Sequence, residues 1–246
     1  MTVVWVMAGL LGIWFCWTIL PTCYLKYVRN NTIQPVGALA ARPVMLTFDD
    51  GPDRVYTPQL LDLLAKEQVK ATFFVLSDKV EQYPEVVERI RREGHQIAFH
   101  AVSHRNMWFQ SYRSVRENFY HGLDVLSQHD CEAAYYRPPY GNINLFTWYL
   151  MKKEGLHLML WTVMAQDWSA KSTTPIILEK LRARTQPGSV ICLHDSGEGT
   201  GGEPGGPARM MAALEIFLPE LKKKNYRFLL PTECVLGGGL YEFHRR

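Results

Sequence analysis

Hydrophobic positions divide the chain into two unequal parts. No charged residue occurs from Met1 to Leu25, and residues 3–20 (VVWVMAGLLGIWFCWTIL) are almost wholly apolar. A run of that length matches the roughly 20 residues that cross a bilayer core, so residues 1–25 are expected to form one transmembrane helix. Tyr24 and Tyr27 stand where an aromatic belt would lie, beside Lys26 and Arg29. A cleaved signal peptide would open on basic residues, and this run does not; Leu20-Pro21-Thr22-Cys23 is a poor match to a lipoprotein cleavage site.

Residues 26–42 show no periodicity and are expected to be a linker. Beyond them the pattern becomes regular. Short apolar runs at 44–48, 71–76, 96–99, 134–136, 156–163, 189–193 and 226–230 are expected as strands. Stretches with helical spacing separate them at 57–68, 84–92, 111–128, 143–154, 174–184 and 208–225. Pro84 opens the second of these and Gly94 ends it. Strands alternating with helices imply parallel βα units in a single α/β domain over residues 43–232. About seven units favour a closed or nearly closed barrel over an open doubly wound sheet. Residues 233–246 are left as a C-terminal tail. The Gly-rich segment 196–207 (SGEGTGGEPGGP) is expected to be a flexible surface loop, since it has neither the Gly spacing nor the Lys-Ser/Thr ending of a phosphate-binding loop.

Composition narrows the functions. The 246 residues are 47% hydrophobic with a net charge of +3, too weak for a nucleic-acid footprint. The basic residues are dispersed apart from Lys222-Lys223-Lys224, which suits a solvated helix end. Five cysteines with no CxxC and no even framework are expected to be free thiols.

The polar residues that break the pattern fall at the C-terminal ends of the expected strands, where parallel α/β folds gather catalytic groups. The first strand ends in Asp49-Asp50-Gly51, the third in His100 with His104 four residues on, and the fourth in Arg137-Pro138-Pro139-Tyr140-Gly141. Asp167-Trp168 follows the fifth, and the sixth ends in His194-Asp195. Two histidines four apart and one carboxylate suit a transition metal with an open position for water, which marks a catalytic site and brings the water pKa to roughly 7. A second carboxylate could take the water's proton and a third histidine could protonate a leaving amine.

In this order the clusters resemble the polysaccharide deacetylases of carbohydrate esterase family four, the NodB-homology family, over roughly residues 43–232. Thr47-Phe48-Asp49-Asp50-Gly51-Pro52 matches the family's first motif without change. The resemblance implies a distorted (β/α)7 barrel of NodB type. It implies a divalent metal, Zn2+ first with Co2+ or Ni2+ as alternatives, held by Asp50, His100 and His104. It makes Asp49 the base, Arg137 its orienting partner, the Tyr140 N–H an oxyanion donor, and His194 the acid tuned by Asp167. Tyr140, Trp168 and Leu193 would contact substrate, with Leu193 lining the pocket for the acetyl methyl.

Two positions depart from the family pattern. Ala101 stands where Ser or Thr is usual, and Met164 where an Asp is usual. Neither removes a ligand, the base or the acid, so altered loop rigidity or substrate preference is expected. Two other classes remain open at this point. One is a facial-triad iron oxygenase, which shares the donor set; the other is a non-catalytic sugar-binding module on the same fold. Within the deacetylase reading the expected partner is an N-acetylated glycan, peptidoglycan ahead of chitin-like oligomers and exopolysaccharide. Trp108, Phe109 and Tyr112 could stack on its sugar rings or pack a loop onto the barrel. The expected location is the cell membrane, single-pass, with the domain extracytoplasmic. Lys26 and Arg29 follow the helix, and by the positive-inside rule they favour the cytoplasm, where a lipid-linked amino sugar becomes the alternative substrate.

Overall fold

The computed structural model describes residues 1–29, 31–36, 42–197 and 202–236. The apolar run forms α1 (Thr2–Cys23), which continues as a π-helical turn over Tyr24–Val28. Then follow β1 (Ile33–Pro35), β2 (Arg42–Asp49), α2 (Tyr56–Lys66), β3 (Thr72–Leu76), α3 (Ser77–Gln82), α4 (Pro84–Arg92) and β4 (Gln96–Ala101). The remainder is α5 (Tyr112–Gln128), β5 (Tyr135–Tyr136), α6 (Leu145–Lys153), β6 (His157–Leu158), β7 (Val163–Met164), α7 (Thr174–Arg184), β8 (Ser189–His194), α8 (Gly206–Lys223), β9 (Tyr226–Phe228) and β10 (Cys234–Leu236). Local chemistry sets several boundaries. Pro84 occupies the first turn of α4, and Gly94 takes φ +76 just beyond its end. Ser111 and Asn144 cap α5 and α6 by accepting the backbone N–H groups of Ser114 and Thr147.

The main sheet runs β6-β5-β4-β3-β2-β8-β7, with every pairing parallel. Val44 pairs with both β8 and β9, so β9 lies on the β3 side of β2, beside its first residues. Side chains alternate across this curled sheet. Met45, Phe74, Ala98, Tyr135 and Val190 point inward to one small core. Leu46, Phe48, Phe73, Val75, Phe99, Ile191 and Leu193 point outward into the larger core beneath the helices.

The distorted barrel of the NodB type is what the structure shows, and its distortion has a local cause. The run expected as one strand over 156–163 is two short strands. The Met159 N–H donates to the Tyr136 carbonyl on one edge of the sheet, and the Thr162 N–H donates to the Val190 carbonyl on the other. A single segment therefore spans the seam, and among the described residues no β6–β7 ladder closes it.

The linker and the tail are each partly structured. β1 pairs antiparallel with β10, Ile33 opposite Leu236, and the Ile33 N–H donates to the Gly188 carbonyl just ahead of β8. This small ribbon covers the N-terminal end of the barrel, with Ile33 and Cys234 in the inner core. Residues 37–41 of the expected linker, 198–201 of the Gly-rich loop and 237–246 of the tail lie outside the described residues. The described cysteines are free, as expected.

α1 does not stand apart from the domain. Thr22 is buried, donating to the Ile143 carbonyl and accepting the Ile143 N–H and the Trp108 Nε1–H. Leu25 is fully buried in the outer core, and Trp17 meets Phe146 edge-on at 4.6 Å.

Candidate active site

The strand register assembles the polar residues. Asp49 is paired with His194 across β2 and β8, so both side chains emerge on the same side at the C-terminal end of the sheet. Below them, Thr47 faces Cys192 in the same register. The Asp167 carboxylate accepts the His194 backbone N–H at 2.8 Å and lies 3.1 Å from His194 Nδ1. Burial disfavours a charged His194, but the Asp167 carboxylate, with Asp50 and Asp49 beyond, more than offsets it and raises the pKa to about 10.

Arg137 fills the interior beneath Asp49. It is fully buried and donates to Asp49 Oδ1 at 2.6 Å and to Thr47 Oγ1 at 2.8 Å. Its Nε–H reaches the Met159 carbonyl at 3.0 Å, on the segment that spans the barrel seam, and its guanidinium lies 4.0 Å over the Phe74 ring. One side chain thus orients a carboxylate and ties down an irregular backbone. Cys192 Sγ donates to the other Asp49 oxygen at 3.3 Å. No motif points to Cys192; the available signal is its alternation with His194 on β8.

Asp50, His100 and His104 bring one ligand atom each to within 4.8 Å of one another. The Asp50 backbone sits at φ +77, outside the ordinary range for a residue with a side chain. Such strain persists only where surrounding structure enforces it. Lys79 Nζ donates to the Asp50 carbonyl and to Ser196, while Thr57 donates to Asp195, just past the end of β8. His100 Nδ1 lies 2.6 Å from the Arg137 carbonyl, which fixes Nδ1–H as donor and leaves the Nε2 lone pair facing Asp50 at 3.3 Å. His104 Nε2 faces the same Asp50 Oδ1 at 3.4 Å. Burial lowers His104 to about 4, so it is neutral at neutral pH. Burial pushes Asp50 up, but the surrounding imidazoles of His100, His194 and His104 hold it below the usual carboxylate range. Asp50 Oδ1 is buried without a hydrogen-bond donor. A carboxylate oxygen and two imidazole nitrogens converging on one point fit a divalent cation, and the oxygen and nitrogen donors suit a transition metal.

These groups line a cleft of about 520 Å³ whose wall also includes Tyr140, Trp161, Met164 and Trp168. Tyr140 is at φ +58 and meets His104 edge-on at 4.4 Å. Gln166, directly before Asp167, is also left-handed, at φ +58. Met164, in place of the usual Asp, contributes thioether surface to the cleft. Ala101 is buried with Leu76 and Met107 in a small apolar cluster, so an apolar contact stands where a hydroxyl is usual. Leu193, expected to line the acetyl pocket, is fully buried in the outer core and is absent from the cleft wall. The reason is alternation: its neighbours Cys192 and His194 take the inward side. Sequence reasoning missed Lys26, which was placed in the linker. Its Nζ donates to the Tyr140 carbonyl at 2.8 Å and to Asn142 Oδ1 at 2.9 Å, and it lines the cleft.

Comparison with known proteins agrees with this geometry. A family model described as polysaccharide deacetylase matches residues 37–159. A peptidoglycan-N-acetylglucosamine deacetylase of Bacillus cereus is 32% identical over 218 residues, covering 87% of this chain and 94% of the relative. A chitooligosaccharide deacetylase of Sinorhizobium fredii is 33% identical over 70% of this chain and 79% of its own length. The solved Bc1960 peptidoglycan N-acetylglucosamine deacetylase superposes with a TM-score of 0.71 at 32% identity, over 80% of this chain and 90% of that one. Fold, motif order and relatives coincide: the chain belongs to the polysaccharide deacetylase family.

Proposed function

We propose that this polysaccharide deacetylase removes the N-acetyl group from N-acetylglucosamine units of peptidoglycan, using a divalent metal held by Asp50, His100 and His104. The observation that carries the reading is the pairing of Asp49 with Arg137 and of His194 with Asp167 on adjacent strands beside that triad. These pairings support roles as base and acid, which sugar binding alone would not require. The parallel barrel also sets the chain apart from the β-sandwich of facial-triad oxygenases.

Asp50, His100 and His104 would hold the metal, Zn2+ by preference with Co2+ or Ni2+ as alternatives, which would supply Lewis acidity to the acetamide carbonyl and to a water. Asp49, aimed by Arg137, accepts a proton from the attacking water as its oxygen bonds to the carbonyl carbon. The Tyr140 N–H donates to the oxygen on which negative charge develops. His194, charged at neutral pH through Asp167, gives its proton to the amide nitrogen as the C–N bond breaks. Acetate and a free amino sugar leave, and one water is consumed. Trp168, at the cleft wall and half-exposed, supplies a face for the sugar ring.

The helix over Thr2–Val28 is long and apolar enough to cross a membrane, and it supports a single-pass anchor with the domain outside the cytoplasm, where peptidoglycan lies. Lys26 is bonded to Tyr140 and Asn142, and Arg29 donates to the Leu158 carbonyl. Their position after the helix therefore has a structural reason apart from topology. Acetate release by the full-length protein from peptidoglycan and from chitooligosaccharide tests the substrate. Preference for chitooligosaccharide, or no release from peptidoglycan, would overturn the assignment.

A further inference from the structure

Packing of α1 against the domain limits how the protein can sit on a bilayer. Crossing a hydrocarbon core takes about 20 residues, or about 30 Å at 1.5 Å per residue. Domain contacts begin at Trp14, whose ring stacks on Phe109 at 6.2 Å and meets Trp108 edge-on at 6.3 Å. One turn later Trp17 packs on Phe146, which itself lies 5.1 Å from Tyr112. The helix ahead of Trp14 spans only about 20 Å, too short to cross alone. If α1 spans the membrane, the segment from Trp14 onward enters the bilayer with whatever is packed on it.

What is packed on it is apolar. Phe109 is 73% exposed and Tyr149 55%, with Tyr112 and Leu145 also exposed. Leu145 and Tyr149 are four apart on α6 and so share one face. Exposed large apolar groups beside a membrane-length helix, several of them Tyr, Trp and Phe, have the chemistry of an interfacial belt.

We propose that this surface, formed by Trp108, Phe109, Tyr112, Leu145, Phe146 and Tyr149, inserts into the interfacial layer of the bilayer beside α1. The domain is then seated on the lipid, and its cleft opens at the membrane surface. The connection to the cleft is short: His104 and Phe109 lie on one loop, and Lys26 joins the last turns of the helical segment to Tyr140. This inference rests on the reading of α1 as a membrane anchor, and the test separates the two.

The test uses the full-length protein in phosphatidylglycerol–phosphatidylcholine vesicles, with Cys16 and Cys23 replaced by Ala and the three buried cysteines retained. Single nitroxide labels are placed through Val6→Cys, Phe109→Cys, Tyr149→Cys and, as an aqueous reference, Glu85→Cys. Accessibility to oxygen and to a water-soluble nickel chelate is read by electron paramagnetic resonance. Labels at 6, 109 and 149 are expected to favour oxygen, and the label at 85 the chelate. A lipid signal at 6 with aqueous signals at 109 and 149 would overturn the seated surface while keeping the anchor. An aqueous signal at 6 would overturn both. Protection of 109 and 149 from both reagents would mean a protein partner covers the surface and would also reject the proposal. As a functional arm, Tyr149→Asp is expected to leave acetate release from soluble chitooligosaccharide unchanged and to lower release from membrane-held glycan; equal rates on both would count against it.

Discussion

Arg137 and Asp49 form a contact of 2.6 Å with the arginine fully buried, and the same guanidinium holds the Met159 carbonyl at the barrel seam. One side chain therefore both orients Asp49 and holds the segment that spans the seam. Removing one partner of a buried pair costs about 3–5 kcal/mol because the other charge is left uncompensated. Arg137→Met is expected to lower stability by that order in chemical denaturation and to abolish acetate release. Arg137→Lys is not conservative here, since one ammonium cannot reproduce the fork that serves Asp49, Thr47 and Met159 together.

Asp49→Asn separates chemistry from metal. The variant keeps Asp50, His100 and His104, so bound metal measured by mass spectrometry is expected to match the unaltered protein. Acetate release is expected to fall by about 100-fold or more, the range for loss of a positioned base. A variant with most of its activity would remove Asp49 from the role assigned to it.

Asp167→Asn tests the tuning of His194. The pKa of His194 is raised from 6.5 to about 10 in the folded protein, so the stabilisation from the pair is fully present below about 6.5 and is lost as pH climbs through about 10. Melting curves of the metal-free protein and of Asp167→Asn are expected to differ most near the low end of that window and to converge at its top. In the active enzyme, the alkaline limb of the rate profile is expected to move to lower pH in the variant.

A metal held by Asp50, His100 and His104, as proposed, predicts a response to chelation. A ion bound only by the folded protein stabilises it in proportion to the logarithm of its concentration over its dissociation constant. A chelator is expected to lower the melting temperature of the protein and to leave that of His104→Ala unchanged.

Gly51 offers a steric test of the loop beside the metal ligands. A Cβ there would lie 2.3 Å from Asp195 Oδ2, and Asp195 is buried and held by Thr57. Overpacking of this kind costs about 1–3 kcal/mol. Gly51→Ala is expected to melt earlier, with part of the loss recovered when Asp195→Gly is combined with it.

Much of the fold was legible because burial repeats along the chain. α4 and α7 fall at their expected boundaries, since Pro84 and the Thr-Pro pair at 174–175 announce helix starts. That Asp49, Asp50, His100, His104 and His194 gather at one cleft was legible because a polar or charged residue after an apolar strand has few structural reasons to be there. The failures are equally physical. Residues 156–163 look like one strand because both halves are apolar, and only the pairing of Met159 and Thr162 with opposite edges reveals the break. Leu193 was assigned to the cleft although its alternation with His194 turns it outward. Lys26 gave no signal of a place at the cleft, because its partners are a backbone carbonyl and an Asn more than a hundred residues away.

That lysine changes what counts as the enzyme. Its bond to the Tyr140 carbonyl ties the helical segment directly to the cleft wall, so on the proposed function that segment is a component of the catalyst and not a leash. A protein begun at residue 43 would keep Asp49, Asp50, His100, His104 and His194, yet lose the group that holds the Tyr140 carbonyl. On the membrane reading, the enzyme would patrol in two dimensions, and amino sugars would be uncovered in a band whose depth is set by the size of the domain.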